Sequence, residues 1–200
     1  MDAWDRPDLP PPSAGGAEAE EPDKTSRRAK SLLREILQLV LIVMLVRLGM
    51  DTLLPRYVVD GASMEPTFST SERVIVDRVT MLLGGPSRGD VVVLDSPRRD
   101  ELLIKRVIGL PGETVTVQAG RVTINGTLLE EPYVQEFCTY PSCNGTWELG
   151  PDEYFVLGDN RSHSLDSHSF GPVQRGAIKG VARLRYWPPD ELDILTAPQY

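Results

Sequence analysis

The chain changes its hydrophobic rhythm twice. Residues 1–23 hold few large apolar side chains and are punctuated by Pro7, Pro10, Pro11, Pro12 and Pro22. Such a stretch cannot offset its ordering entropy by burial, which predicts a disordered tail. Residues 36–46, ILQLVLIVMLV, are then broken only by Gln38. Beyond Pro55 the pattern turns to short runs rich in Val, Ile and Tyr, which predict strands at residues 57–60, 73–79, 90–95, 102–108, 114–118, 121–124, 127–130, 154–157 and 177–187. Ala119-Gly120 and Asn125-Gly126 read as two-residue turns inside the middle group. The connections are too short for helical crossovers, so the expected fold is mainly β, with antiparallel pairing.

The apolar run needs a separate decision, because a bilayer core about 30 Å thick takes roughly twenty residues of helix to cross. Residues 32–54 reach that length if Arg34 and Arg47 snorkel toward opposite faces. A cleaved secretory signal and an interfacial amphipathic helix are the competing readings. No small-x-small site follows promptly, since Asp51, Pro55, Arg56 and Tyr57 stand where cleavage would fall, and this favours an uncleaved anchor. The expected organisation is a tail over residues 1–30 that ends in a basic flank, one transmembrane anchor over 31–55, and a single β domain over 56–200.

Charge sharpens this picture. A net charge of −8 argues against a nucleic-acid partner, and two Cys with two His are too few for the usual zinc sites, so neither a metal nor another cofactor is expected. Residues 1–23 carry seven acids and one base, whereas residues 24–34 carry five bases (Lys24, Arg27, Arg28, Lys30, Arg34) and no acid. Bases ahead of the apolar run, against Arg56 just after it, place the N-terminus in the cytoplasm and the β domain outside, with the lipid bilayer as a partner.

Three features carry chemistry. Ser63 lies in Gly-Ala-Ser-Met-Glu-Pro-Thr, residues 61–67, at the end of a predicted strand. A Ser in a Gly-flanked turn can expose its hydroxyl beside backbone N–H groups, the arrangement a nucleophile and oxyanion hole require, although such a Ser is more often a plain turn residue. Lys105 lies inside LLIKRVIG, residues 102–109, where alternation sends Leu103, Lys105 and Val107 one way and Ile104, Arg106 and Ile108 the other. It is either an edge-strand Lys that resists aggregation or a desolvated amine able to act as a general base. The polar run of residues 158–168, GDNRSHSLDSH, sits between apolar strands and could orient such a Lys. His163 and Asp166 with Ser63 also compose a Ser-His-Asp set, a reading that leaves Lys105 without a role.

With these residues in view, the chain resembles the bacterial type I signal peptidases, Ser-Lys membrane serine proteases that remove signal peptides from exported proteins. GASMEPT is similar to the nucleophile box, RGDVV (residues 88–92) to a structural box, KRVIGLPGE (105–113) to the general-base box, and GDNRSHSLDS (158–167) to the last box. The four occur in the family's order, and the similarity covers about residues 30–190. The resemblance implies an antiparallel β catalytic domain of the signal-peptidase type, Ser63 as nucleophile and Lys105 as base. It implies that Ser164 hydrogen-bonds the Lys amine, with Asp159, Arg161 and Asp166 in support. Some members place a Ser in the oxyanion hole where this chain has Gly61, so the hole is expected to rest on backbone N–H groups. His168 stands where the family commonly has Arg.

The implied substrates are preprotein signal peptides with small residues at −1 and −3 of the cut. An extended peptide is expected beside residues 57–60 and 102–104, with Val59, Met64, Leu103 and Ile104 lining its pockets. An extracytoplasmic location further permits a disulfide between Cys138 and Cys143, with free thiols as the alternative. Two other functions fit the chain less well. A self-cleaving repressor should bring a DNA-binding helix-turn-helix and a basic surface, and a catalytically silent binding module should have lost Ser63 or Lys105; neither expectation fits the chain.

Overall fold

Residues 24–53 are almost wholly Leu, Ile, Val, Met, Ala, Arg, Lys and other helix-compatible types, and they form one 30-residue helix, α1 (Lys24–Leu53), about 45 Å long at the usual rise. The structure, a computed structural model, describes residues 24–198; the tail expected over residues 1–23 lies outside the described residues. The basic flank, placed in the tail by the sequence pattern, is helical from Lys24 onward because Arg, Ala and Lys propagate a helix that the apolar run already supports. The stretch Lys30–Leu53 is long and apolar enough to cross a membrane, and its apolar side chains are exposed on all sides. The helix stops at Leu53, just ahead of Pro55, whose ring disfavours helical backbone at the residue before it. The chain divides into two compact units with the boundary between Leu45 and Val46.

The second unit is built from short strands: β1 (Arg56–Val58), β2 (Arg73–Asp77), β3 (Val91–Asp95), β4 (Leu102–Gly109), β5 (Thr114–Gln118), β6 (Arg121–Ile124), β7 (Thr127–Leu128), β8 (Gly145–Glu148), β9 (Glu153–Leu157), β10 (Val173–Gln174), β11 (Ile178–Trp187) and β12 (Asp193–Ile194). The larger sheet has the order β1-β2-β11-β3-β4-β9-β10, with β12 added to β11, and the smaller has the order β7-β6-β5-β8. Every pairing is antiparallel, as the short connections require.

Several elements were not legible in the hydrophobic pattern. The strand expected over 73–79 ends at Asp77, because the Asp77 carboxylate accepts the Val79 N–H at 2.7 Å and the Thr80 hydroxyl at 2.5 Å. That side chain turns the backbone into a short helix, α2 (Val79–Leu83). β8 forms in Gly-Thr-Trp-Glu through pairing with β5, including Thr116 opposite Thr146 with their hydroxyls 3.1 Å apart. A second short helix, α3 (Ser167–Phe170), begins where Asp166 caps the His168 N–H.

Three buried clusters meet along β4. Ile104 packs against the cluster of Val59, Met64 and Phe68; Leu103 and Val107 join that of Val92 and Val156; Ile108 belongs to that of Val115 and Phe155. Both faces of β4 are therefore apolar, which is why Lys105 and Arg106, only 2 % and 5 % exposed, are the informative residues of the strand.

Candidate active site

Three segments converge at the middle of β4, where Lys105 and Arg106 stand. The first is the turn that follows β1. Gly61 has φ +92°, a conformation that side chains resist, and open space surrounds its Cα, so backbone geometry rather than crowding calls for glycine here. Beyond it Met64 and Phe68 are fully buried and act as anchors of about 1.5–3 kcal/mol each, holding Ser63 above the core. The Phe68 N–H donates to the Met64 carbonyl at 2.9 Å and closes the turn.

The second segment is β4 itself. Lys105 Nζ lies 2.7 Å from Ser63 Oγ and donates to the Ile104 carbonyl at 2.8 Å. Burial lowers the Lys105 pKa from 10.5 to about 8, against the opposing pull of the Asp166, Asp159 and Glu101 charges. A side chain that holds an ammonium weakly and touches a serine hydroxyl is suited to removing its proton.

The third segment is the loop after β9. Asn160 donates its backbone N–H to the Ser63 carbonyl and its side-chain amide to the Ala62 carbonyl, both at 3.1 Å, and so pins the serine turn. Asp159 is held by Arg106 through two contacts of 2.8 and 2.6 Å and accepts the Thr67 hydroxyl at 2.5 Å. Arg106 also donates to the Gly89 carbonyl and stacks over the Tyr133 ring, 4.1 Å from its centroid. Arg161 donates to the Gly158 carbonyl at 3.1 Å and grips Glu131 at 3.0 and 2.5 Å, with both side chains of the pair sealed from solvent. Glycine is required at 158 by close approach: a Cβ there would run into Ser164 and the Ser63 carbonyl.

Asp166 accepts the Gly158 N–H at 2.9 Å and the His168 ring Nδ1–H at 3.0 Å. Burial pushes its pKa up, but those donors, the His168 charge and the nearby Ser164 hydroxyl outweigh burial and hold the carboxyl below its ordinary value. His168 Nε2 is buried with no hydrogen-bond partner, its ring edge-on to Trp147 and Phe155.

Two expectations need correction. Ser164 Oγ makes no hydrogen bond with the Lys105 amine, which turns instead to Ser63 and the Ile104 carbonyl of its own strand, and the Ser164 hydroxyl lies beside Asp166. Met64 does not line a substrate pocket; its side chain is fully buried beneath the serine turn. The Ser-His-Asp set is not assembled either, since the exposed His163 meets Asn160 at 3.3 Å while Asp166 is bonded to Gly158 and His168.

Val59, Leu103 and Ile104 do line a cleft of about 100 Å³ that opens onto Ser63 and Lys105, together with Tyr57, Val58 and Leu102. The cleft runs between two open edges. Among the described residues β1 pairs only with β2, and β9 covers β4 only from Arg106 onward, leaving its first residues unpaired on that side. Glu131 and Tyr133 follow the strand expected over 127–130 in a stretch where nothing local announces a buried ion pair, and Thr67 stands in the sequence only as the last residue of the serine motif. Cys138 and Cys143 are bonded to each other, with Cα atoms 6.2 Å apart.

The chain is similar to known proteins of one family. Residues 30–187 match the family described as signal peptidase, peptidase S26. The chain is 39 % identical to a signal peptidase I of Leptolyngbya laminosa over 188 residues, covering 89 % of this chain and 91 % of that protein. It is 34 % identical over 175 residues to signal peptidase I P of Bacillus subtilis subsp. natto, covering 83 % and 94 %. A crystal structure of a signal peptidase I from Enterococcus faecalis V583 is 37 % identical, with a TM-score of 0.43, and the match covers 48 % of this chain and 95 % of that one. The chain belongs to the signal peptidase family, peptidase S26, and is an enzyme of the signal peptidase I type.

Proposed function

We propose that this chain removes signal peptides from preproteins with Ser63 as nucleophile and Lys105 as general base, cutting after small residues at −1 and −3. The observation that carries the reading is the 2.7 Å contact between Ser63 Oγ and a Lys105 amine whose pKa is lowered to about 8 by burial. Neutral Lys105 takes the Ser63 proton as Oγ attacks the scissile carbonyl, and the charge that develops on the carbonyl oxygen falls to backbone N–H groups beside Gly61 and Ser63. Lys105 then protonates the leaving amine, and in the second half it takes a proton from the water that attacks the acyl-enzyme and passes it to Ser63 Oγ as the ester bond breaks. Asn160, Asp159, Arg161 and Asp166 hold the serine turn and the loop beneath it, and Ser164 closes the space beside Gly158.

The substrate preference follows from the cleft. A chain added between the open edges of β1 and β4 presents alternate side chains to one face, which brings −1 and −3 toward the same wall. A cleft of about 100 Å³ lined by Val59, Leu103 and Ile104 favours small apolar side chains there. In the membrane, α1 serves as an uncleaved single-pass anchor. The basic cluster from Lys24 to Arg34 keeps its start cytoplasmic, so the β unit acts outside, where preproteins emerge.

The test is incubation of purified full-length protein in neutral detergent with a preprotein, reading the N-terminus of the product. Ser63→Ala should leave the preprotein intact. Product formation by Ser63→Ala at the wild-type rate would refute the reading.

A further inference from the structure

The serine turn is flanked on one side by the small apolar cleft and on the other by a second depression of about 420 Å³ with the opposite character. Its walls include Glu65 and Pro66, which directly follow the nucleophile turn, then Glu136 from the segment after β7, and Asp159, Asn160 and His163 from the loop after β9. Pro66 is the one apolar side chain among these six. The depression is joined to the nucleophile through Asn160, which bonds the carbonyls of both Ala62 and Ser63.

Its charge is unbalanced. The Asp159 carboxylate is satisfied by Arg106, but Glu65 and Glu136 are exposed and meet no cation among the described residues. Two carboxylates thus face a space beside the reacting serine with nothing to neutralise them.

A peptide bond cut at Ser63 has two ends. The acyl side needs the apolar cleft that ends at Ser63 and Lys105, so the departing side continues past the serine turn in the other direction. An extended chain advances about 3.3 Å per residue, which brings the first residues after the cut alongside Glu65 and Asn160. The new end released there is an amine, which accepts the proton from Lys105 and is attracted by neighbouring carboxylates.

We infer that this acidic depression receives the first residues of the mature chain, and that Glu65 and Glu136 make the enzyme favour basic and disfavour acidic side chains at positions +1 and +2. The inference rests on Ser63 being the nucleophile. Asn160 and His163 supply hydrogen-bonding groups to the backbone of the departing segment, so neutral residues are accepted, while Asp or Glu at these positions meets like charge.

The experiment uses full-length enzyme in neutral detergent at low ionic strength and three preproteins identical except at +1 and +2, carrying Lys-Lys, Ser-Ser or Asp-Asp. The expected kcat/KM falls in that order, with about three- to fivefold between successive substrates, the scale of an exposed charge contact. In the double variant Glu65→Gln, Glu136→Gln the three values should converge. Raising the salt concentration to about 1 M, where the screening length is about 3 Å, should have the same effect on the wild type. Equal rates for all three substrates in the wild type, or a spread that the double variant leaves intact, would overturn the inference. Failure of the underlying reading is separately visible, because Ser63→Ala would then still cleave the Ser-Ser substrate.

Discussion

Lys105 and Arg106 are neighbours on one strand, both basic and both buried, and the two faces of β4 treat them in opposite ways. Arg106 is given a carboxylate, Asp159, on two of its nitrogens, a carbonyl on a third and the Tyr133 ring over its plane. Lys105 is given a hydroxyl and a carbonyl, with no carboxylate in contact among the described residues. A guanidinium stays charged when buried and must be matched, whereas an ammonium that is left unmatched gives up its proton. The same desolvation that leaves one residue a fixed structural cation lowers the pKa of its neighbour to about 8, as the proposed base requires. One strand register sets both outcomes, because alternation assigns each side chain to its face.

The strongest way to break this contrast is to put the structural cation where the base belongs. Lys105→Arg keeps the positive charge but cannot accept a proton from Ser63, so kcat/KM should fall by about 10²- to 10⁴-fold, as it should in Lys105→Ala. In the wild type, kcat/KM should rise tenfold per pH unit and level off above about 8, the value to which burial lowers Lys105. Retention of activity in Lys105→Arg within tenfold of wild type would mean that the amine is not the base.

The opposite manipulation unmatches Arg106. Asp159→Asn leaves a buried guanidinium without its counter-charge and should cost about 3–5 kcal/mol of stability, read as a lowered Tm or denaturation midpoint. Asp159 also raises the Lys105 pKa from a distance. Removing its charge should therefore move the acidic limb of the activity profile to lower pH, provided the protein stays folded in the assay. Lost stability with an unmoved limb would show that the two faces of β4 are electrostatically independent.

A third test reads Lys105 through stability alone. Its folded pKa of about 8 lies below the value of 10.5 in the unfolded chain, so the unfolded state binds more protons between these values. Burial of Lys105 then destabilises the fold fully below about pH 8, and the penalty shrinks as pH rises toward 10.5. Lys105→Met should accordingly be more stable than wild type by about 3 kcal/mol near pH 7, with the advantage fading above pH 8. A constant difference across that range would contradict the lowered pKa.

These two residues also mark how much was legible beforehand. The alternation of LLIKRVIG is enough to show that a basic side chain must face apolar neighbours, and the spacing of Ser63, Lys105 and the 158–168 run, with their family resemblance, places the three segments that meet. Local pattern does not show which polar groups find one another across long separations. Thr67 reaches Asp159 over 92 positions and Arg161 reaches Glu131 over 30, and both pairings depend on the finished sheet. For the same reason the expectation that Met64 lines a pocket fails, since an apolar residue beside a nucleophile looks the same in sequence whether it faces substrate or core. Asp77 ended a strand through a side-chain bond that hydrophobic periodicity does not register. The pairing of Asp166 with His168 is local, two positions apart, and was open to anticipation for that reason.

The smallest effect expected concerns the segment that supplies the Arg106 side of the contrast. Glu131 and Tyr133 lie between β7 and β8, ahead of the loop that Cys138 and Cys143 close over a separation of five residues. A disulfide spanning so short a loop restrains the unfolded chain only modestly, by roughly 2 kcal/mol. The loop has other ties. Ala119 donates its N–H to Asn144 at 3.0 Å, Arg121 stacks on Phe137, and the backbone of Cys138 sits against Gly120 so closely that a Cβ there would lie 2.8 Å from its carbonyl oxygen. Glu131 and Tyr133 hold their arginines through contacts that do not pass through the bridge. The double variant Cys138→Ser, Cys143→Ser should therefore lose about 2 kcal/mol in denaturant unfolding while its kcat/KM and the pH of its acidic limb stay at wild-type values. A shifted limb in this variant would mean that the bridged loop governs the Arg106–Asp159 pair, and through it the charge that Lys105 feels.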